Sequence, residues 1–467
     1  MQAYPLEPSD EEMRRMGEDA LAFLTTFIED LPEAPAVDLE GIEEIVASLR
    51  EGPPEEGSDF APLLNVVATA AAKGFNPAGP GYLAFIPGGG LFAAAIADFL
   101  ACGVNRFVNL WSPSPALVRL EQNVVRWLCD LFCYPQTARG ILTSGGSISN
   151  LSAIVTARTS LLGEGFSDGT LYVSDQTHAS VAKAAVLAGF PRRNVRVART
   201  ASSFRLDAES LRNMIEADRG EGLRPFCIVA NAGTTNTGAI DPIADLVGLA
   251  REEGMWLHVD AAYGGFFQLT ERGRVLFRGI EEADSITLDP HKGMFLPYGT
   301  GALLVRDGAK LRDAHHVAAD YLQDLAPEGE LPNFSEYSPE LSRDFRGLRV
   351  WLPLKLHGFA AFRDALDEKL DLARHLYEAL RTFDGFDVLE PELSVVAFRY
   401  RPRSGDADEF NRGLLERINA SRRVFLSSSI LDGRFTLRAC ILCHRTHLDR
   451  VEEAAAIIRR AAQDPAR

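Results

Sequence analysis

The stretch from Ser285 to Gly301 reads SITLDPHKGMFLPYGTG. A short run of strand character, Ser285-Ile286-Thr287-Leu288, stops at Asp289 and Pro290, and one ammonium side chain, Lys292, follows against Gly293. A lysine at the end of a buried strand is costly unless an anion pairs with it, or unless the amine is used in a covalent bond. Pro290 has no N–H to offer a strand ladder, so the strand ends before the lysine rather than running through it. The chemistry of this segment therefore belongs to the carboxyl end of one strand, and the neighbouring strands decide what else is there.

From about residue 140 onward, short apolar runs alternate with amphipathic helical segments. GILTS, LYVSD, VRVAR, FCIVANAG, WLHVD, SITLD and GALLVRD are the strand candidates. Such alternation predicts an α/β fold with a mostly parallel sheet and flanking helices. Asp241-Pro242 heads the helical segment IADLVGLAREE, with Asp241 as its expected cap and Gly254 as its stop. Residues 1–80 read as a helical N-terminal segment and 81–355 as the large domain. Residues 356–467 read as a small α+β domain with strands in DVLEPE, SVVAFRY and FTLRACIL.

Bulk properties narrow the function. A net charge of −17 disfavours nucleic acid or an anionic membrane as a main partner. The opening MQAYPLEPSDEEMRRM is polar and lacks the apolar segment of a secretory signal. LFAAAIADFLACGV at 91–104 is short and contains Asp98, so it reads as a buried helix rather than a membrane span. Six cysteines in 467 residues make no disulfide framework, and a cytoplasmic location is expected. Cys440, Cys443 and His444 spell the haem-attachment pattern, but on a strand the two cysteines face opposite ways, so core thiols are expected. Cys129 and Cys133 read as core residues of a helix.

Four polar clusters fall at strand ends. TSGGSISN at 143–150 precedes a helix, and glycines with serines there present free N–H groups and hydroxyls to an anion such as phosphate. Alone it could equally be a capped helix start. SDQTHAS carries His178, NAGTTNTGAID carries Thr234 and Thr235, and LHVDAAYGG carries Asp260 and Ala262. Each alone is an ordinary loop. Together with Lys292 they make the set that pyridoxal phosphate requires: an amine to bond it, donors for its phosphate, and a carboxylate for its ring nitrogen.

At this point the sequence resembles a known family. H-V-D-A-A-Y-G-G, then D-P-H-K, with G-G-S-I-S-N upstream, is similar to the pyridoxal-phosphate-dependent group II amino acid decarboxylases, which include the aromatic L-amino acid and glutamate decarboxylases. The resemblance implies a fold-type I (aspartate aminotransferase-like) architecture and a homodimer with shared active sites. It makes Lys292 the cofactor-bonding lysine, Asp260 the partner of the ring nitrogen, His178 the stacking ring and Ala262 the contact on the other face. Gly146, Ser147 and Ile148, with Thr235, would meet the phosphate, and His291 would adjoin the lysine. Asp289 stands where many relatives have Asn, and as a carboxylate it is left out of the phosphate contacts.

The family's proton donor is a tyrosine on a mobile lid, here expected within 320–344. Counting back without gaps from SRDFRGLRVW puts Phe334 at that position, with Tyr337 shortly after it. Phe334 there would imply oxidative decarboxylation–deamination to an aldehyde. Tyr337 as the donor would imply simple decarboxylation to the amine, and the retained His178 favours this second product. By the same resemblance, Phe85, Ile86 and Pro87 with Phe107 line the substrate pocket and suit an aromatic or apolar amino acid.

Overall fold

The structure is a computed structural model that describes residues 6–317, 329 and 331–463. Residues 320–328 and 330 of the expected lid lie outside the described residues. The large sheet contains β1 (Arg139–Thr143), β2 (Gly169–Ser174), β3 (Val195–Ala198), β4 (Arg224–Asn231), β5 (Trp256–Asp260), β6 (Ser285–Leu288) and β7 (Gly301–Val305). Their spatial order is β1-β7-β6-β5-β4-β2-β3. β2 through β6 pair in parallel, while β7 runs antiparallel to both its neighbours. Helices cover both faces, so strands such as β2 and β5 are buried at every residue and read as near-continuous apolar runs.

The reversed β7 positions the site. Its first residue, Gly301, pairs with Thr143 at the end of β1, and Ala302 pairs with Leu288 at the end of β6. The turns that leave β1 and β6 are thereby brought side by side. A side chain at Gly301 could not be accommodated: its Cβ would lie 2.6 Å from the Gly145 backbone. Asn231, Asp260 and Thr287 continue the row, because β4, β5 and β6 pair in matched register.

A second sheet carries β8 (Phe386–Val388), β9 (Val395–Tyr400), β10 (Ser427–Leu431) and β11 (Arg434–Cys440), all antiparallel in the order β8-β9-β11-β10. The helical stretch Arg346–Arg381 joins the two parts and is broken at Gly358, whose φ of 72° and ψ of 160° are not helical. Its Val350, Leu354, Phe362, Leu366 and Leu370 pack into the large core, and Leu372, Leu376 and Leu380 into the smaller one. Before the large sheet come the helices Asp10–Asp30, Ile42–Ser48 and Phe60–Ala71, none of which has a buried residue.

Several local expectations change. Asp241 does not cap its helix, which begins after Pro242 without a side-chain cap. It is buried instead and accepts from the backbone N–H groups of Leu206 and Asn231, both at 2.7 Å. Gly254 does end that helix in the left-handed conformation, at φ 66°. Cys129 is buried, but Cys133 lies beyond the helix end at φ 54° and is exposed. Cys440 and Cys443 are buried free thiols. The helix Phe92–Val104 buries only its alanine face, with Phe99, Leu100 and Val104 exposed. Among the described residues no helix is long and apolar enough to cross a membrane.

Three histidines are held neutral by burial, which pushes His258 and His315 down to about 4 and His444 to about 3. In the unfolded chain each titrates near pH 6.5, so below that value the unfolded state binds more protons and stability falls with pH. The loss approaches about 1.4 kcal/mol per group per pH unit inside the window from about 6.5 down to about 4. The melting temperature should therefore drop steeply between about pH 6.5 and pH 4.5. His315→Gln, at a ring whose Nε2 has no hydrogen-bond partner, should shallow that slope; a wild-type melting temperature flat across the range contradicts the assignment.

Candidate active site

Lys292 sits in the single turn Pro290–Gly293 that follows β6. Its Nζ lies 2.8 Å from Asp289 Oδ2, and the Asp289 side chain is almost wholly buried. Burial pulls the Lys292 ammonium down, but the charge and hydrogen bond of Asp289 outweigh it, and Lys292 titrates above the ordinary lysine value. The strand-end lysine is thus paired by the residue that ends the strand. Next to it, His291 donates from Nδ1 to the Thr300 carbonyl at 2.6 Å, which leaves Nε2 unprotonated at 3.7 Å from Asp289 Oδ2. Burial lowers the His291 pKa, so the ring stays neutral beside the lysine.

Across the gap, the turn after β1 opens the helix Gly146–Leu161. Gly145 has φ 150°, a conformation open to glycine and strained for other residues. The first helical bonds are made by the Ile148 and Ser149 N–H groups to the Gly145 carbonyl, at 3.0 and 3.2 Å. The amides of Gly146 and Ser147 precede those bonds, at the positive end of the helix. A Cβ on Gly146 would stand 3.2 Å from both Ala262 Cβ and Asp289 Oδ2, so glycine keeps the cradle open. Thr143 Oγ1 braces the turn, accepting from Gly145 N–H at 3.2 Å and meeting Ser149 Oγ at 2.8 Å.

Asp260 ends β5 between these two turns. Its Oδ2 accepts from Asn150 Nδ2 at 2.9 Å and its Oδ1 from the Ala262 N–H at 3.1 Å. One cavity of 290 Å³ is lined by Gly146, Ser147, His178, Thr235, Asp260, Ala262, His291 and Lys292. Eight of the expected site residues therefore converge. Ile148 does not line that cavity; its N–H is already used within the helix.

Pyridoxal phosphate fits this donor set. The glycine cradle and helix amides suit a phosphate, the Lys292 amine an aldehyde, and Asp260 a protonated ring nitrogen. Asp289 Oδ1 is buried with no hydrogen-bond partner, an unused acceptor at the edge of the cradle.

Other expected residues lie elsewhere. Phe85 and Phe107 are 53% and 43% exposed, Ile86 is half-buried, Pro87 is buried, and none lines the lysine cavity. Their loop does reach it, since a Cβ on Gly88 would stand 2.6 Å from the His291 carbonyl oxygen. Phe85 has φ 50°, uncommon for a bulky residue, and its N–H is held by Ser427 Oγ at 3.0 Å. Phe334 and Tyr337 are both buried, at 2% and 4% exposure. Phe334 lies under the Arg343 guanidinium, 4.9 Å from the ring centre, and Arg343 pairs with Glu121 in the interior. Tyr337 lines a separate cleft with Arg139, Asp307 and Arg312.

Three contributors were not among the expected site residues. Asp289 is the lysine's ion-pair partner. Asn150 reaches Asp260 from a helix 110 positions earlier, a contact that no local pattern signals. Tyr298, within the LPYGTG segment, places its ring 5.7 Å from His291.

Comparison with known proteins agrees with this geometry. Residues 51–401 match the Pyridoxal-dependent decarboxylase conserved domain. An aromatic-L-amino-acid decarboxylase of Bacillus atrophaeus is 34% identical over 98% of this chain and 97% of its own length. A phenylacetaldehyde synthase of Arabidopsis thaliana is 28% identical over 98% and 97%. The crystal structure of Catharanthus roseus tryptophan decarboxylase in complex with L-tryptophan superposes with a TM-score of 0.92 at 27% identity, covering 99% of this chain and 100% of that one. Domain match, whole-length similarity and the arrangement along the sheet edge lead to one conclusion: the chain belongs to the pyridoxal-dependent decarboxylase family and is an amino acid decarboxylase that uses pyridoxal 5'-phosphate.

Proposed function

We propose that the chain decarboxylates an aromatic or apolar L-amino acid to its amine, working in amino acid metabolism as a cytoplasmic homodimer. The observation that carries the reading is the convergence of Lys292, Asp260, His178 and the Gly146 cradle on one cavity. When bound, pyridoxal phosphate supplies an electron-poor ring that takes up the electron pair left by departing carbon dioxide. Lys292 is the residue that bonds it, Asp260 keeps its ring nitrogen charged, and His178 and Ala262 flank the ring. The amides and hydroxyls of Gly146, Ser147 and Thr235 hold the phosphate, with Ile148 contributing through the helix it continues. His291 backs the lysine turn from the Thr300 side.

Substrate preference rests on what surrounds the cavity. No arginine lines it among the described residues, so an acidic side chain would lack a guanidinium partner. Tyr298, whose ring lies 5.7 Å from His291, and the loop of Phe85, Ile86 and Pro87, whose Gly88 closely approaches the His291 carbonyl, bring aromatic and apolar residues toward the lysine turn, and Phe107 is a further exposed aromatic of the proposed pocket. The named relatives that act on aromatic amino acids point the same way.

The homodimer reading draws support from unpartnered apolar surface. Met13, Met16, Leu21 and Leu24 on the first helix and Leu63, Val66 and Val67 on the third are exposed in the single chain. Exposed apolar side chains on two neighbouring helices are what a second copy would cover.

Tyr337 is the proposed proton donor to the substrate carbon. Seated as described it lies off the lysine cavity, so it serves only after its segment is displaced or in a partner's cavity. A second reading follows from Phe334 at the lid position and from the aldehyde synthase among the relatives. There the product is an aldehyde, formed with consumption of oxygen and release of ammonia and peroxide.

A panel of L-amino acids assayed for carbon dioxide, amine, ammonia and peroxide separates the readings. Equal amine and carbon dioxide from an aromatic substrate, without peroxide, is the expected result. Ammonia and peroxide matching the carbon dioxide would overturn the amine product. Tyr337→Phe should lower amine formation by about 100-fold or more if the phenol delivers the proton.

Lys292 must shed a proton before its amine can bond the cofactor, and its raised pKa keeps it charged near neutrality. Capture of pyridoxal phosphate by cofactor-free protein should therefore accelerate between about pH 7.5 and pH 9.5. Asp289→Asn removes the partner charge, lowers the Lys292 pKa and should speed capture at neutral pH. A capture rate independent of pH in the wild type contradicts the ion-pair account.

A further inference from the structure

Behind the cavity runs a continuous chain of hydrogen bonds whose donors and acceptors can be assigned one by one. It starts at Trp256 Nε1–H, a donor only, which gives to Ser285 Oγ at 2.8 Å. Ser285 Oγ is 2.8 Å from His258 Nδ1, and its own hydroxyl proton is free to go there. His258 Nε2 is 3.0 Å from Asn150 Oδ1. The Asn150 amide cannot be turned the other way, because its other end faces an acceptor-only carboxylate: Nδ2 donates to Asp260 Oδ2 at 2.9 Å. Oδ1 must then accept, so His258 carries its proton on Nε2.

The same Nδ2 group also donates to Ser180 Oγ at 3.1 Å. Ser180 Oγ lies 2.8 Å from His178 Nδ1, and the Ser180 backbone N–H donates to that same nitrogen at 3.2 Å. A backbone N–H cannot reverse its role, so His178 Nδ1 is an acceptor and the neutral ring keeps its proton on Nε2. Asn150, Ser180, His258 and Ser285 are all buried, which strengthens each bond and makes an unmet partner costly.

We propose that Asn150 is a positioning residue that ties the Asp260 carboxylate, the His258 ring and, through Ser180 Oγ, the His178 ring into one hydrogen-bonded unit and fixes the tautomer of His258. One amide then sets both the carboxylate orientation and, through Ser180, the stacking ring. Asn150 does not react; it acts through the two groups it holds. The linkage rests on the assignment of Asp260 and His178 to the cofactor.

Nitrogen-15 resonances of histidine-labelled protein test the linkage first without cofactor. In wild type, His178 and His258 should both show the Nε2–H tautomer near neutral pH. Asn150→Ala and Asn150→Leu, which lose the amide acceptor, should release His258 into a tautomer mixture and leave His178 as Nε2–H, because the Ser180 backbone N–H still donates to its Nδ1. Ser180→Ala keeps that backbone N–H and should leave both tautomers unchanged. With nitrogen-15-labelled pyridoxal phosphate bound, both Asn150 variants should move the ring-nitrogen signal toward the unprotonated value, and Ser180→Ala should not. The kcat of the Asn150 variants should fall by about 10- to 100-fold, the range seen when a group supporting a directly contacting residue is removed, with KM changed much less.

An Nδ1–H tautomer at His258 in the wild type overturns the proposal. So does a His258 resonance that both Asn150 variants leave at its wild-type value. A tautomer change in the cofactor-free protein with an unmoved ring-nitrogen signal supports the linkage and instead removes Asp260 from its assigned role.

Discussion

The ion pair between Lys292 and Asp289 is the constraint around which the rest of the large domain is arranged. An ammonium group at the end of an apolar strand needs a counter-charge, and a carboxylate this deeply buried needs a cation. Placing both in one turn satisfies each with the other, but only if that turn is held at an open edge of the sheet. The reversed β7 does this. It spans from Leu288 to Thr143, so the lysine turn and the glycine-rich turn face each other across one strand width. Gly301 and Gly146 keep side chains out of the gap, and Gly145 takes the backbone angle the turn requires.

The functional groups then divide according to how firmly they are held. Asp260 is fixed by two donors and stands in register with its neighbours on β4 and β6. His178 sits on a loop at a helix start and is oriented through Ser180. Lys292 would be the mobile member under the proposed role, since an amine that bonds the cofactor must leave Asp289. Asp289 Oδ1 stands beside the Gly146 cradle without a hydrogen-bond donor from the protein.

Much of this was legible in the sequence, for physical reasons that also explain the gaps. Strands buried on both faces leave uninterrupted apolar runs, and each of the seven segments anticipated for the large sheet overlaps one of its strands. β10 was missed because Ser427-Ser428-Ser429 resembles a loop; it becomes a strand by pairing with β11. Lys292, Asp260 and the Gly146 turn stand out because each breaks its local pattern at a strand end. Asp289 was assigned a repulsive role next to phosphate, and only the turn geometry shows it within 2.8 Å of the lysine. Asn150 was legible only as the last residue of the TSGGSISN cluster, with no assigned role, and Asp241 looked like a cap, because their partners are distant in sequence. The placement of Phe334 and Tyr337 depends on tertiary packing under Arg343 and beside Arg312, which no spacing rule encodes.

The most direct test of the central claim is chemical trapping of the lysine that bonds the cofactor. Protein loaded with pyridoxal phosphate is reduced with borohydride, digested, and its peptides weighed. The account predicts one phosphopyridoxyl group, on the peptide containing Lys292. Label on a surface lysine such as Lys183, with the Lys292 peptide unmodified, would contradict it.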